Sequence, residues 1–159
     1  MEINKIRTGF GYDVHKFSTG RKLILGGVEI PHLTGLSGHS DADVLLHAIC
    51  DSLLGAAGFD DIGHQFPNTN PEFKNVSSLV LLGKCYKLLK SKKWKIANID
   101  AMVILEEPKI NRYIPEMKKR ISSIIKTENI SIKATTSEGI GFVGKKQGCQ
   151  AYSTCLIYK

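Results

Sequence analysis

Residue types that bind metal ions recur at regular intervals in the first third of the chain. Asp13 and His15 are two residues apart in a stretch typical of a β-strand, so their side chains project from the same face. Asp43, His47 and Asp51 follow one another at intervals of four, which places them on consecutive turns of one helical face. Carboxylate oxygens and imidazole nitrogens are zinc ligands, so both stretches have the chemistry of a metal site.

The helical stripe alone has two interpretations. His47 could be a ligand, or it could be a packed histidine whose carboxylate neighbours only solvate the helix surface. Asp13 and His15 favour the interpretation of His47 as a ligand, because they offer two ligands side by side on a strand and a helical histidine can supply the third. Three N/O ligands with an open fourth position are typical of a catalytic zinc rather than a structural one.

Two segments have the features of phosphate-binding sites. His39 and Ser40 precede the helix, at the positive end of its dipole, where free backbone N–H groups bind anions. Ser40 is also the predicted helix N-cap, with Asp43 completing an S-x-x-D capping box. The second segment, 134-ATTSEGIGFVGKK-146, joins hydroxyls and a glycine-rich loop to Glu138, which could bind a hard cation such as magnesium. Its spacing matches neither a P-loop nor a Rossmann fingerprint.

Strands and helices are mixed along the chain. The predicted strands are 5–17, a 22–30 hairpin with a Gly26-Gly27 turn, 99–105, 130–136 and 149–159. The predicted helices are one that follows the Ser40 cap and ends near Gly55, 79–89 and 114–126. Loops are predicted at 31–38, 65–77 and 137–148. Because these elements do not alternate as regular β-α-β units, the pattern favours an α+β fold with one sheet covered by helices.

Composition predicts one globular domain over residues 1–159, with 42% hydrophobic and 23% charged residues. No apolar run has the length of a membrane span, and the first residues lack the apolar core of a signal peptide, so a cytoplasmic location is expected. The four cysteines contain no C-x-x-C pair and are expected to be free thiols. The net charge of +7 suits anionic ligands.

Seven motifs in this order resemble the 2-C-methyl-D-erythritol 2,4-cyclodiphosphate synthase family. They are 9-GFGYDVH-15, 26-GGVEIP-31, 38-GHSDADVLLHAICDSLLGAAG-58, 61-DIG-63, 66-FPNTNP-71, 108-PK-109 and 133-KATTSEGIGFVG-144. The resemblance covers nearly the whole chain, and the block from 38 to 58 is its most specific part.

The resemblance implies a role for each of several residues. The implied metal ligands are Asp13, His15 and His47 for a zinc-like divalent cation and Glu138 for a second cation, Mg or Mn, bound with the substrate diphosphate. The implied catalytic residues, which stabilise the transition state, are His39 and Thr136. The implied substrate contacts are Ser40, Asp61, Ile62, Gly63, Phe66, Asn68, Asn70, Leu105, Lys109, Ile110, Asn111, Ala134, Thr135, Phe142 and Lys145.

The implied activity is that of a phosphorus–oxygen lyase in the non-mevalonate isoprenoid pathway. Its substrate would be 4-diphosphocytidyl-2-C-methyl-D-erythritol 2-phosphate, whose 2-phosphate attacks the β-phosphorus in line and displaces CMP. Positioning and charge neutralisation are the main catalytic contributions expected for such phosphoryl transfer. The resemblance also implies a homotrimer with sites between subunits, and neither a nucleic-acid nor a membrane partner.

Three features depart from the pattern common in that family. Asn68 and Asn70 stand where aspartates are common, and Lys145 stands where arginine is common, which keeps the charge but loses the bidentate fork. The segment 105-LEEPKIN-111 is unusually acidic. All three concern substrate contacts, and none affects the metal triad.

Two other classes of function remain open from the residues. A basic nucleic-acid or nucleotide-binding module would account for the net charge, although the chain shows no stacking platform or charged groove signature. A zinc-dependent hydrolase could use the same Asp-His-His ligands with a metal-bound water, although no further general base is evident beside the triad.

Overall fold

A computed structural model describes residues 5–159. The strands are β1 (Ile6–Ser18), β2 (Leu23–Leu25), β3 (Val28–Ile30), β4 (Gly35–Leu36), β5 (Lys95–Ile104), β6 (Ile130–Thr135) and β7 (Gly148–Tyr158). The helices are α1 (Val44–Ala56), α2 (Ile62–Gln65), α3 (Ser78–Ser91), α4 (Ile114–Ile125) and α5 (Gly141–Gly144). Short 3-10 turns lie at Pro71–Phe73 and Asn111–Tyr113.

Five strands form one mixed sheet in the order β4-β1-β7-β5-β6. β5 and β6 are parallel, and every other neighbouring pair in this sheet is antiparallel. β2 and β3 form a separate hairpin. The prediction of an α+β fold with a single mixed sheet and helices on one side is confirmed.

The helices cover the face of the sheet to which the odd-numbered residues of β1 and β7 point. α1 packs on both strands, α3 packs on α1, and α4 packs on α3 and β6. The core between them is aliphatic, and Leu45, Ile49, Leu53, Val103 and Ala151 are inaccessible to solvent. This packing brings the middle of β1 against the first turns of α1.

Two glycines allow β1 to lie directly on α1. A Cβ atom at Gly9 would lie 1.9 Å from the carbonyl oxygen of Ser52, and one at Gly11 would lie 2.0 Å from that of Ala48. Both distances are far below van der Waals contact, so any side chain there would force the strand and helix apart.

The opposite face of the sheet carries a cluster of exposed apolar side chains on β1, and no helix of residues 5–159 covers it. Phe10, Tyr12 and Val14 project from it with 64%, 41% and 40% of their surface exposed. Their neighbour across the ladder is Tyr152 of β7, whose ring centroid lies 5.0 Å from that of Tyr12 and 6.1 Å from that of Phe10. A contiguous patch of this kind marks an interaction surface.

The helices of residues 5–159 were compared with the requirements of a membrane span. None of these helices combines the length and the hydropathy that a bilayer span requires.

The start of α1 corrects the sequence prediction. Asp43, not Ser40, is the N-cap, and its carboxylate accepts from the backbone N–H of Leu46 at 3.1 Å. The same carboxylate accepts from the N–H groups of Gly26 at 3.0 Å and Gly27 at 2.6 Å in the β2–β3 turn. Asp43 therefore joins the hairpin to the helix and does not extend the His47 stripe, because its side chain is occupied by backbone donors.

Smaller differences concern the predicted loops. The 31–38 loop contains β4, the 65–77 loop contains a 3-10 turn, and the 137–148 loop contains α5. β5 begins earlier than predicted, at Lys95, and its alternation is interrupted by a register shift between Ile96 and Asn98. These elements are too short or too irregular to give a clear periodic signal.

Candidate metal centre and substrate cavities

Three predicted ligands converge at the contact between β1 and α1. Oδ2 of Asp13 lies 3.0 Å from Nε2 of His15 and 2.9 Å from Nδ1 of His47. The two imidazole nitrogens lie 3.2 Å apart. Asp13 and His15 occupy one face of the strand, as their spacing predicts, and α1 supplies the third atom from the facing helix.

This triangle has the dimensions of a tetrahedral zinc site. Zinc binds N and O ligands at about 2.0–2.2 Å, so two ligands of a tetrahedron are about 3.4 Å apart. The three measured edges are slightly shorter, at 2.9 to 3.2 Å. The donor set of two imidazole nitrogens and one carboxylate oxygen also suits zinc. These residues thus form a possible metal site, and three ligands leave the fourth position for another group.

The electrostatics of the triad favour a bound cation. Burial alone would raise the pKa of Asp13, but hydrogen bonds from His15 and His47 hold it well below the usual range of a carboxyl group. Burial alone would lower the pKa of His47, but the hydrogen bond and charge of Asp13, with the charges of Asp43 and Asp41, raise it. Positive charge is therefore stabilised here, whether as a proton or as a metal ion.

The other side of the His47 ring contacts two serines. Its Nε2 atom lies 3.0 Å from Oγ of Ser78 and 3.2 Å from Oγ of Ser40. The Ser78 hydroxyl is also hydrogen-bonded to Oδ1 of Asp41. Both ring nitrogens of His47 therefore have partners, which fixes the plane of the imidazole.

The triad opens into a cavity of about 240 Å³, which we call the metal cavity. Its walls are Asp13, His15, Gly38, His39, Ser40, His47, Ile62, Gly63, Phe66, Asn68, Phe73 and Leu81. Nine of these residues are predicted site residues, from sequence positions 13 to 68. His39 lines this cavity, and its Nε2 atom is buried and meets no hydrogen-bond partner within residues 5–159.

Backbone hydrogen bonds hold the segment that carries His39 and Ser40. The guanidinium of Arg21 donates to the carbonyl oxygen of Ser40 at 2.6 Å and to that of Leu36 at 3.2 Å. On the other side, the N–H of Asn75 donates to the carbonyl oxygen of His39 at 2.9 Å. The segment therefore presents both side chains to the cavity from a fixed backbone.

Asp51 and Asp61 support the far wall of the metal cavity. Oδ1 of Asp51 accepts from the N–H of Ile62 at 2.8 Å, which ties α2 to α1. Asp61 caps α2 by accepting from the N–H of His64 at 2.9 Å, and this bond is the main reason that its pKa is lowered. Asp61 does not line the cavity, whereas Ile62 and Gly63 do.

A second cavity, of about 220 Å³, lies at the carboxyl ends of β5 and β6. It is lined by Leu105, Glu106, Pro108, Lys109, Ile110, Asn111, Ala134, Thr135 and Thr136. Six of the implied substrate contacts lie in this lining, Leu105, Lys109, Ile110, Asn111, Ala134 and Thr135, together with the implied catalytic residue Thr136. We call it the loop cavity.

Glu106 organises the loop that follows β6. Its Oε1 accepts from the backbone N–H of Ser137 at 2.8 Å and from the Ser137 hydroxyl at 2.9 Å. The hydroxyl of Thr136 donates to Oε1 of Glu138 at 2.7 Å, so the predicted second metal ligand and a predicted catalytic residue are adjacent. Glu138 adopts a left-handed backbone with φ of 54°, which is uncommon outside glycine.

Some predicted partners are not brought together in one chain. His39 lines the metal cavity and Thr136 lines the loop cavity. Of the other predicted contacts, Asn70 caps a 3-10 turn by accepting from the N–H of Glu72 at 3.0 Å. Phe142 and Lys145 lie at and just after α5 and line neither cavity.

Sequence reasoning missed the supporting residues. Ser78 and Asp41 form a hydrogen-bonded pair beside His47, but neither was predicted to belong to the site. Asp41 directly follows the predicted phosphate-binding residues His39 and Ser40, which was a usable signal. Ser78 gave none, because a serine at a helix start is ordinarily only a cap.

Comparison with known proteins shows the family to which this chain belongs. The sequence profile of the YgbB family matches residues 6–158. The chain belongs to the YgbB family. A relative from Clostridioides difficile named 2-C-methyl-D-erythritol 2,4-cyclodiphosphate synthase is 54% identical over 154 residues, which are 96% of this chain and 96% of the relative. The family resemblance inferred from the motifs is confirmed.

Solved structures of similar proteins have the same fold. The bifunctional IspDF from Campylobacter jejuni matches 97% of this chain with a TM-score of 0.92 and 40% identity, and this chain spans 42% of that longer one. IspF of Plasmodium falciparum, in a CDP complex, matches 99% of this chain and 98% of its own with a TM-score of 0.85 and 35% identity.

Proposed function

We propose that this chain is a divalent-metal-dependent 2-C-methyl-D-erythritol 2,4-cyclodiphosphate synthase, a phosphorus–oxygen lyase. Its substrate would be 4-diphosphocytidyl-2-C-methyl-D-erythritol 2-phosphate, and the pathway would be non-mevalonate isoprenoid synthesis. One observation carries the proposal: Asp13, His15 and His47 place three ligand atoms within 3.2 Å of one another at the wall of a cavity. Family membership supports the choice of reaction.

The proposed reaction is an intramolecular exchange of phosphorus–oxygen bonds. An oxygen of the 2-phosphate forms a bond to the β-phosphorus, and the bond from that phosphorus to the α–β bridging oxygen breaks. The bridging oxygen leaves with the electron pair as part of CMP, and the remaining product is a cyclic diphosphate. No water is consumed, so the protein must bring the 2-phosphate and the β-phosphorus into line.

The residues of the metal cavity would bind and orient the reacting end of the substrate. A zinc-like ion held by Asp13, His15 and His47 would act as a Lewis acid that neutralises charge on the diphosphate. His39 and Ser40 line this cavity and would bind phosphate oxygens through the imidazole and the hydroxyl. Further proposed contacts to the erythritol part are Asp61, Ile62, Gly63, Phe66, Asn68 and Asn70.

The residues of the loop cavity would bind the cytidine end. Its volume and its backbone groups near Leu105, Lys109 and Ala134 suit a pyrimidine nucleoside, and the CDP complex of the Plasmodium falciparum protein supports a cytidine nucleotide as ligand. Thr136 would act on the transferring phosphate, and Glu138 would hold the second cation, Mg or Mn. Remaining proposed contacts are Ile110, Asn111, Thr135, Phe142 and Lys145.

One incubation tests the reaction and its metal dependence together. The protein is mixed with the diphosphocytidyl substrate, with or without a chelator, and the products are identified by mass. We expect CMP and a cyclic diphosphate without chelator, and product at background level with it. Zinc and magnesium are then restored singly and together. Equal turnover in chelator would contradict metal dependence, and a linear, hydrated product would favour the hydrolase alternative.

We also propose a homotrimer with each site shared between neighbours. The uncovered apolar face of the sheet, with Phe10, Tyr12 and Val14 exposed, suits burial between subunits. The location of His39 and Thr136 in different cavities of one chain supports the sharing, because a neighbour could bring a loop cavity next to a metal cavity.

Mixed trimers provide the test of shared sites. His47→Ala damages the metal cavity and Lys109→Glu damages the loop cavity, and each variant is expected to be inactive alone. After subunit exchange, a mixed trimer can combine an intact metal cavity with a neighbour's intact loop cavity. With random exchange in a cyclic trimer, about a quarter of the sites escape both lesions, so activity should return to about a quarter of wild type.

The control pairs two lesions of the same cavity. His47→Ala mixed with Asp13→Ala cannot form an intact metal cavity and should remain inactive. Mass-tagged subunits establish that exchange has occurred. If the His47 and Lys109 variants exchange and stay inactive, the sites are contained within single chains and the proposal is wrong.

Two further parts of the proposal concern the chain as a whole. We infer that residues 1–159 act as one domain, since the buried side chains of the described residues form one connected core. We infer a cytoplasmic location, since Cys50, Cys85, Cys149 and Cys155 are buried free thiols, as is usual in a reducing compartment.

A further inference from the structure

A serine–aspartate pair contacts the imidazole of His47 on the side away from the other triad members. Nε2 of His47 lies 3.0 Å from Oγ of Ser78, and this hydroxyl is hydrogen-bonded to Oδ1 of Asp41. Oδ2 of the same carboxylate accepts from the backbone N–H of Ser78 at 2.9 Å. Ser78 is inaccessible to solvent, so these contacts determine the orientation of its hydroxyl.

Counting the available donors and acceptors shows which atom donates in each of these hydrogen bonds. A carboxylate can only accept, so the Ser78 hydroxyl gives its one hydrogen to Asp41 and turns a lone pair toward His47. Nε2 of His47 must therefore carry a hydrogen. When a cation takes the place of the hydrogen that Nδ1 shares with Oδ2 of Asp13, 2.9 Å away, the neutral ring has its free lone pair on Nδ1, which also lies 3.2 Å from Nε2 of His15.

We propose that Asp41 and Ser78 are positioning residues that hold His47 in the tautomer with hydrogen on Nε2, so that Nδ1 is free to bind the cation. Partners of this kind, on the second nitrogen of a ligating histidine, fix the tautomer and ring orientation at metal sites. The identity of the bound cation in this inference rests on the proposed function. The contacts from Asp41 to Ser78 and from Ser78 to His47 are observed in the structure.

The same tautomer assigns a direction to the Ser40 hydroxyl. Its Oγ accepts from the N–H of Ala42 at 3.1 Å and lies 3.2 Å from Nε2 of His47. The one hydrogen on Nε2 is then shared between the hydroxyls of Ser78 and Ser40, so Ser40 accepts from both Nε2 and the N–H of Ala42 and both of its lone pairs are occupied. The hydroxyl hydrogen of Ser40 is thus left to donate into the metal cavity, toward an anionic oxygen.

Two variants change the pair in different ways. Ser78→Ala removes Oγ but keeps the backbone bond to Asp41. Asp41→Asn keeps the shape, but an amide has only one acceptor oxygen. The Ser78 N–H at 2.9 Å would take that oxygen, so the amide nitrogen would face the Ser78 hydroxyl and the Asp43 N–H, which lies 3.3 Å from Oδ1. The Ser78 hydroxyl would then donate to Nε2, and the hydrogen-bond direction would be reversed.

Zinc affinity and the His47 tautomer are the measurements. Affinity is determined by competition with a chromophoric chelator, and the tautomer from the ring ¹⁵N resonances of His47 in ¹⁵N-labelled protein. We expect both variants to bind zinc about 10- to 100-fold more weakly than wild type. In the zinc-loaded wild type, Nε2 should have a protonated-nitrogen shift, and this resonance should move in Ser78→Ala. In metal-free Asp41→Asn, the neutral ring should shift toward hydrogen on Nδ1.

Ser77→Ala is the matched control. Ser77 is the N-cap of α3 and accepts from the N–H of Leu79 at 3.3 Å, so its loss weakens the same helix start without touching His47. Its zinc affinity should equal that of wild type. If Ser78→Ala does not fold, Asp41→Asn carries the test alone.

The outcomes separate this inference from the proposed function. Wild-type zinc affinity and unchanged His47 resonances in Ser78→Ala and Asp41→Asn would overturn the positioning role and leave the metal site in place. If Asp13→Ala binds zinc as tightly as wild type, the triad is not the metal site, and the proposed function and this inference are both wrong.

Discussion

His47→Ala and Asp13→Ala are each expected to abolish stoichiometric zinc binding and to lower turnover about 1000-fold or more. Each variant removes one of the three proposed protein ligands, whose donor atoms lie within 3.2 Å of one another. A metal that neutralises phosphate charge contributes several kcal/mol to transition-state stabilisation, and each 1.4 kcal/mol corresponds to about tenfold in rate. Zinc content after dialysis is measured by elemental analysis, and turnover by CMP release.

His32→Ala is the control for this prediction. His32 is also a half-buried histidine, but its ring contacts Phe17, with centroids 5.5 Å apart, and its Nδ1 contacts Thr34. It does not line the metal cavity, so its variant should retain zinc and activity. Full zinc occupancy in His47→Ala or Asp13→Ala would show that the ion is held elsewhere.

Gly11→Ala is expected to lower the free energy of unfolding by about 3 kcal/mol, a cost in the upper range for overpacking. The added Cβ would lie 2.0 Å from the carbonyl oxygen of Ala48, an atom of the helix backbone that no rotamer change can move. Relief requires β1 to move away from α1. Because Asp13 is two residues further along β1 and His47 is on α1, we expect weaker zinc binding as well.

Urea denaturation at fixed protein and zinc concentrations measures this loss. Gly55→Ala is the control, and it should change the free energy of unfolding in the opposite direction. A Cβ on this exposed residue of α1 meets nothing within 4 Å. It should stabilise the protein by about 0.5 to 1 kcal/mol, because alanine is the better helix former. A Gly11→Ala protein as stable as wild type would show that the strand and helix can separate at little cost.

Local periodicity predicted the parts of this protein that depend on residues close in sequence. Alternation on β1 placed Asp13 and His15 on one face, and helical spacing placed His47 on a helix that follows. The irregular order of strands and helices gave the α+β class, and ordered motifs gave the family. Each of these conclusions follows from short-range rules of strand and helix geometry.

Some predicted site residues line one cavity because neighbouring strands bring them together. Lys109 and Thr135 both line the loop cavity, since β5 and β6 are parallel neighbours and their carboxyl ends meet at one edge of the sheet. The cap of α1 was predicted wrongly because S-x-x-D looks like a capping box locally. The backbone donors of Gly26 and Gly27, which bind Asp43, come from a distant turn.

The sequence by itself determined which residue types are available and which face of a strand or helix carries them. Tertiary structure alone decided that Nδ1 of His47 faces Asp13 and that Ser78, 31 residues away, contacts Nε2. It also decided that His39 and Thr136 line separate cavities of one chain. The physical reason is that these relations depend on how β1 packs against α1. That packing is fixed by backbone contacts at Gly9 and Gly11, between segments far apart in the chain, and no local pattern records it.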